Sequence, residues 1–341
     1  MDLFKKPEAL FALKAVREAC VIAERVATEM AHGAQDKPDN SPVTVADFAI
    51  QALIAERLEK AFPQDCLVGE ESADELRTPA RVPMLNQITA FAGQALNGLC
   101  NEETLRLIDR GKGLPAGASA EAGKPCTRFW TVDPIDGTKG FLRGEQYAVA
   151  LALLENGRPV FSVLGCPRLG PSGTFQKNGP GILVAAFQGG GTWLSTLDQE
   201  KFTRLHVSAR SRPAELHVLR SVEASHANAD HLAPVFAKHG MTISPMLMDS
   251  QAKYAVVAMG VSDLFFYLVS RRNPAQRMKI WDVAPGALVV EEAGGKITDM
   301  QGGVLDYTCG DTLAKNPGLV ITNGRYHDAA LALLQEAEKF R

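Results

Sequence analysis

The sequence predicts a two-domain mixed protein, α+β over residues 1–208 and a smaller α/β unit over 209–341. Three observations carry this. The chain has 341 residues, more than one hydrophobic core usually organises. From Gln146 to Val207, β-type runs follow one another across tight turns, as in an antiparallel meander. Beyond Ser208, strand patterns alternate with helical ones, the mark of an α/β unit.

In order, Leu10, Leu13, Val16, Cys20 and Ala23 recur at helical steps and predict a helix over Pro7–Met30. Gly33–Pro42 is polar and breaker-rich, hence a loop. Thr44 opens a second helix that Pro63 ends, and Thr44 with Asp47 resembles a capping box. Leu67 and Val68 form a short strand running into Glu70 and Glu71, which alternation sends to opposite faces. Helical patterns follow over Pro83–Leu96 and Asn101–Asp109, then a Gly/Ala/Pro-rich excursion over Lys112–Thr127. Trp130–Val132 is a strand expected to stop at Asp133-Pro134, where proline removes a ladder donor. Strands are read at Gln146–Leu154, Pro159–Gly165, Gly181–Ala186 and Lys201–Val207, with Asn156-Gly157 as a hairpin turn. The second unit reads as strand Leu216–Ser221, helix Ala229–His239, strand Met241–Met248, helix Ser250–Gly260 and strand Leu264–Val269. It closes with helix Asp282–Ala293, strands Lys296–Thr298 and Leu319–Thr322, and helix Tyr326–Phe340.

Composition is that of an ordinary globular chain, 46% hydrophobic and 22% charged. A net charge of −3 gives no reason to expect a nucleic-acid polymer. The longest apolar run, Tyr147–Leu154, is too short for a membrane span. Six scattered cysteines without a Cys-x-x-Cys argue against zinc and for free thiols. The N-terminus has no secretory pattern. The expectation is a monomeric, cytoplasmic protein, or a mature organellar form already stripped of a transit peptide.

The chemistry centres on Asp133-Pro-Ile-Asp-Gly-Thr138. Two carboxylates, a forced turn and a hydroxyl at a strand end suit Mg²⁺ with a phosphate lying across it. The same residues would also make a plain turn. The signature resembles that of the Mg²⁺-dependent, lithium-sensitive phosphatases, which include inositol monophosphatases, fructose-1,6-bisphosphatases and 3′(2′),5′-bisphosphate nucleotidases. Ser41–Asp47, Leu67–Ser72, Lys279–Ala287 and Glu291–Asp299 match the same pattern. The resemblance implies a layered αβαβα sandwich. It implies metal ligands at Glu70, Asp133, the Ile135 carbonyl, Asp136 and Asp282, holding two or three Mg²⁺ ions, with Asp282 also facing substrate. Asp47 and Thr138 would be hydrogen-bonded and activate water; Gly137 and Thr138 would cradle the phosphate.

Ser221–His226 and Asp249–Tyr254 look like the bisphosphate nucleotidase branch. Ser250 and Lys253, three apart on the expected helix, would hold a second, non-reacting phosphate, and His226 would touch the nucleotide. Tyr267 stands where some relatives carry arginine and would stack on the base, or Arg271 or Arg272 would reach in. Val283 and Pro285 replace the His and Ala usual after Trp-Asp. Asp282 is expected as the cap of its helix and Pro285 in the first turn. The implied activity is Mg²⁺-dependent removal of the 3′-phosphate of adenosine 3′,5′-bisphosphate and of its sulfated analogue, in sulfur metabolism. The rivals are an inositol (poly)phosphate phosphatase and a catalytically weak nucleotide-binding sensor.

Overall fold

The computed structural model describes residues 3–33, 45–113, 126–222, 232–241, 243–268 and 277–339. Two long helices come first, α1 (Pro7–Gly33) and α2 (Val45–Ala61). They precede β1 (Cys66–Gly69), α3 (Val82–Gly93) and α4 (Asn101–Asp109). Then come β2 (Arg128–Asp136), α5 (Thr138–Arg143), β3 (Ala148–Glu155), β4 (Arg158–Cys166), β5 (Ile182–Phe187), β6 (Gly191–Thr196) and β7 (Thr203–Leu205). The seven strands form one sheet in chain order, antiparallel except for the parallel β1–β2 pair. Asn156 (φ 50°) and Gly157 (φ 73°) make the β3–β4 hairpin turn with both residues left-handed, as their sequence predicted.

The rest comprises β8 (Val218–Arg220), α6 (Ala233–Lys238), β9 (Ile243–Leu247), α7 (Ala252–Ala258), β10 (Leu264–Tyr267), α8 (Ile280–Glu292), β11 (Lys296–Thr298), β12 (Leu319–Thr322) and α9 (His327–Lys339). Its sheet is mixed, in the order β11-β12-β10-β8-β9.

Side-chain alternation sorts these elements into layers. On β3, Val149, Leu151 and Leu153 face α1 and α2, whereas Ala148, Ala150 and Ala152 face the opposite core. The small alanines admit α8, which packs across β3, β4 and β5. On β10, Phe265 joins the core around α7 and α8, while Leu264 and Phe266 face α6 and α9. The result is the layered αβαβα sandwich the resemblance implied.

Two expectations need correction here. β2 does not stop at Asp133: it runs through Pro134 to Asp136, because the ladder slips there. Asp133 pairs with Ala150 and Asp136 with Ala148, three residues against two. That is a β-bulge, one of the few places a strand accepts proline. Nor are all cysteines free: Cys66 and Cys126 form a disulfide with Cα atoms 6.5 Å apart. Parallel β1–β2 pairing sets Cys66 opposite Phe129, which delivers Cys126 beside it across 60 residues of chain. Cys20, Cys100, Cys166 and Cys309 are free.

His327 gives this fold a pH dependence. Its ring lies between the hydroxyls of Thr298 (2.9 Å from Nε2) and Thr322 (3.0 Å from Nδ1). Burial, helped by Lys296, lowers its pKa from 6.5 to about 4. The folded state therefore binds the proton more weakly than the unfolded chain. The contribution is full above the ordinary value and is lost as pH falls from there through about 4. Its ceiling is about 3 kcal/mol. His327→Gln is expected to show a shallower fall in melting temperature across that window. An unchanged slope would mean that acid loss originates elsewhere.

Candidate active site

A cavity of about 340 Å³ lies between the two sheets. Glu70, Asp133, Ile135, Asp136, Gly137 and Thr138 line it from the first part of the chain, and Ser250, Lys253, Tyr267 and Asp282 from the second. Local structure explains the convergence. In a regular strand Asp133 and Asp136, three apart, would face opposite sides. The extra residue of the bulge reverses the parity, and both reach one cavity. Gly137 then turns the chain with φ 89° into α5. A Cβ at Gly137 would come within 2.9 Å of Ser250 Cβ, so this glycine lets the signature loop touch the second half of the molecule. Beyond β1, Glu70 lines the cavity, while Glu71 is buried beside Asp47, which places the two acids as alternation predicts.

Crowded acids in a buried pocket cannot all ionise at ordinary values. Burial first, then Glu70, Asp136 and Asp282, hold the Asp133 carboxyl well above the usual range. Asp136 is pushed up to about 7, mainly by burial, against the pull of the Gln251 N–H and Lys253. Asp282 rises to about 8, again through burial, then through Asp136 and Glu70. Glu70 is raised by burial and shares a hydrogen bond with Asp133. Behind them, burial and Asp47 push Glu71 up to about 9, so it carries its proton at neutral pH.

Among the described residues no three acid, His or Cys side chains stand at ligand spacing around one point. Several carboxylate oxygens are engaged elsewhere: Asp136 Oδ2 accepts the Gln251 N–H, and Asp282 Oδ2 accepts the Lys279 N–H at 3.3 Å. Asp133 Oδ1, by contrast, is buried and without a hydrogen-bond partner. An orphaned carboxylate oxygen facing three other acids, in an oxygen-only donor set, fits a hard divalent cation.

Four local expectations change. Asp282 is the third residue of α8, not its cap, because the helix begins at Ile280 after Lys279. Pro285 consequently lies inside the helix rather than in its first turn. Ser250 precedes α7, left-handed at φ 65°, and its hydroxyl accepts the Ala252 N–H at 3.2 Å. It shares the cavity with Lys253 but not a helical face. Thr138 Oγ1 donates to the Ile135 carbonyl at 3.2 Å, rather than to Asp47, which is buried on the first turn of α2. Lys253 is buried, with Nζ 3.0 Å from Ser221 Oγ and 5.4 Å from the Phe265 ring centre. Burial lowers its pKa, while Asp249 and Asp136 oppose the shift. His226, Arg271, Arg272 and Thr44 lie outside the described residues.

Sequence reasoning singled out Asp249–Tyr254 as a motif but gave Gln251 and Asp249 no role of their own. The carboxamide of Gln251 is a neutral group without a charge signal, and Asp249 accepts the Val222 N–H at 3.0 Å. A larger groove, about 670 Å³, runs along α1. There Arg17 is spent on the Leu197 carbonyl at 2.8 Å and on that of Gln199, and the acids Glu18, Glu24, Glu29 and Asp198 share the lining with Arg17 and Arg25.

The sequence model of the inositol monophosphatase family matches residues 6–339. A 3′(2′),5′-bisphosphate nucleotidase of Schizosaccharomyces pombe is 39% identical, over 92% of this chain and 90% of that protein. One from Oryza sativa is 35% identical, over 97% and 94%. Among solved structures, an IMPase of Thermotoga maritima superposes with a TM-score of 0.61 at 20% identity, covering 96% of each chain, a likeness of fold. No described helix is long and apolar enough to cross a membrane.

Proposed function

The chain belongs to the inositol monophosphatase family, and from that premise we propose that it removes the 3′-phosphate of adenosine 3′,5′-bisphosphate, releasing AMP and phosphate. The sulfated analogue, 3′-phosphoadenylyl sulfate, is a second substrate, which ties the activity to sulfur metabolism. The observation that carries the reading is one cavity holding both the acid cluster and the buried cation Lys253.

The family uses Mg²⁺, and Glu70, Asp133, Asp136, Asp282 and the Ile135 carbonyl are the groups proposed to hold it, as two or three ions. Mg²⁺, when bound, supplies Lewis-acid chemistry, activating water and neutralising charge on phosphoryl oxygens. The protein's own residues do the rest. Raised pKa values mean that protons leave Asp136 and Asp282 as cation binds, so affinity for Mg²⁺ rises with pH up to about 8. Asp47 and Thr138 are the proposed proton-accepting couple. This role requires Thr138 to turn its hydroxyl from the Ile135 carbonyl to Asp47. The N-terminus of α5, with the amides of Gly137 and Thr138, receives the reacting phosphate. Lys253 with Ser250 holds the 5′-phosphate by a charge-assisted contact, and Tyr267 lies against the base, with His226 as a further contact. We propose that residues 1–208 form the metal-binding domain and 209–341 the nucleotide-binding one, in a monomeric cytoplasmic enzyme.

Phosphate release from adenosine 3′,5′-bisphosphate, inositol monophosphate and inositol 1,4-bisphosphate, with and without Mg²⁺, tests this. The nucleotide is expected to give the highest kcat/KM, only with Mg²⁺, and lithium to inhibit. If the nucleotide proves the poorest substrate, the enzyme is an inositol phosphatase. Tight nucleotide binding with negligible turnover at millimolar Mg²⁺ would make the protein a sensor.

A further inference from the structure

Gln251 is almost completely buried, 1% exposed, and makes three contacts that bracket the acid cluster. Its backbone N–H donates to Asp136 Oδ2. Its Nε2 donates to the Trp281 carbonyl at 2.9 Å, and its Oε1 accepts the Gly286 N–H at 3.0 Å. The last two are the groups that a proline at 285 disturbs. Pro285 has no N–H to give the carbonyl four residues back, Trp281, and its ring pushes that carbonyl away. The next amide, Gly286, donates to Gln251. One carboxamide thus supplies both the donor and the acceptor that the broken turn lacks, and these partners fix which end of the amide is oxygen. The repaired turn encloses Asp282. The close fit of the two helices supports it: a Cβ at Gly286 would come within 2.4 Å of the Tyr254 ring, so only glycine lets α7 and α8 approach this far.

We propose that Gln251 is a positioning residue that fixes Asp136 and Asp282 relative to one another by bridging the break Pro285 makes in α8. The inference rests on reading these acids as Mg²⁺ holders, and it assigns Gln251 no contact with substrate. It also accounts for proline at 285 in this chain: the amide tolerates it because it carries out the missing hydrogen bond from outside.

The test is a double-mutant cycle of Gln251→Met, which keeps length and volume, and Pro285→Ala, which restores the N–H for Trp281. Outer contacts that orient metal-holding groups typically change metal affinity or activity by about 10–100-fold. Gln251→Met is expected to raise half-saturating Mg²⁺ about tenfold and lower kcat about tenfold, with KM for the nucleotide within about threefold. Gln251→Met/Pro285→Ala is expected to recover most of both, because the helix then satisfies its own carbonyl. Melting temperature in EDTA gives a readout free of metal and turnover. There the double variant is expected to melt well above Gln251→Met, a gain larger than Pro285→Ala gives in the wild-type background. Additive effects, or a Mg²⁺ requirement unchanged in Gln251→Met, would show that the amide only fills space and would overturn the proposal. Should Gln251→Met not fold, folding of the double variant is the rescue; failure of both while Pro285→Ala folds sinks the idea. The Mg²⁺-induced rise in melting temperature needs no nucleotide. A chain that ignores adenosine bisphosphate yet shows this coupling would lose only its substrate reading.

Discussion

Asp133→Asn is expected to lower kcat by about a thousandfold while raising the melting temperature in EDTA. Both effects follow from one environment. Asp133 is 2% exposed, has one oxygen without a partner, and faces Glu70, Asp136 and Asp282. Cation-assisted charge stabilisation is worth several kcal/mol, and about 1.4 kcal/mol corresponds to tenfold in rate, so losing a central ligand removes about three orders of magnitude. Without cation the same carboxylate is a liability, repelled by its neighbours and poorly solvated. An amide of equal size removes the charge and keeps the shape. The expected gain is about 2–4 °C, corresponding to about 1 kcal/mol in a domain of this size. Mg²⁺ titrations of the melting temperature provide the companion measurement, since wild type rises with cation and the variant should hardly respond. A variant that is less stable in EDTA, or fully active with Mg²⁺, would show that the carboxylates do not act as a cation site.

Lys253→Met should mainly change which substrate the enzyme favours. Lys253 is buried and touches Ser221 Oγ. Its substitution leaves Asp249 still facing Arg143 at 3.5 Å and accepting the Val222 N–H. A hydrogen bond to a charged group contributes about 1.5–3 kcal/mol, so KM for adenosine 3′,5′-bisphosphate should rise between about tenfold and a hundredfold with kcat little changed. Adenosine 3′-monophosphate, which lacks the second phosphate, should lose far less. Equal losses for both nucleotides would place Lys253 at the reacting phosphate instead, next to Asp136, whose ionisation it favours.

Much of the fold was legible because its signals are local. Helix periodicity located α1 to within three residues at its C-terminal end, and Asn156-Gly157 marked a turn by its tolerance of positive φ. The errors share a cause: each depends on a partner distant in sequence. Pro134 ends a strand only if every backbone N–H there is needed, and the β3 register supplies a bulge where it is not. Asp282 looks like a cap until Asp311 accepts the Ile280 N–H at 3.0 Å through its backbone carbonyl and the helix starts earlier. Cys66 and Cys126 read as separate thiols until two parallel strands bring them together.

By itself the sequence named the residues proposed to carry the chemistry, because carboxylates, a Pro- and Gly-bearing turn and a lysine are visible as residue types at fixed spacings. Only the tertiary structure decided which of them meet, since a bulge changes the face a side chain takes and a proline inside a helix exposes a carbonyl that another element must satisfy. Those outcomes turn on hydrogen-bond satisfaction and strand register between segments more than a hundred residues apart, such as Gln251 and Asp136, and no local pattern encodes them.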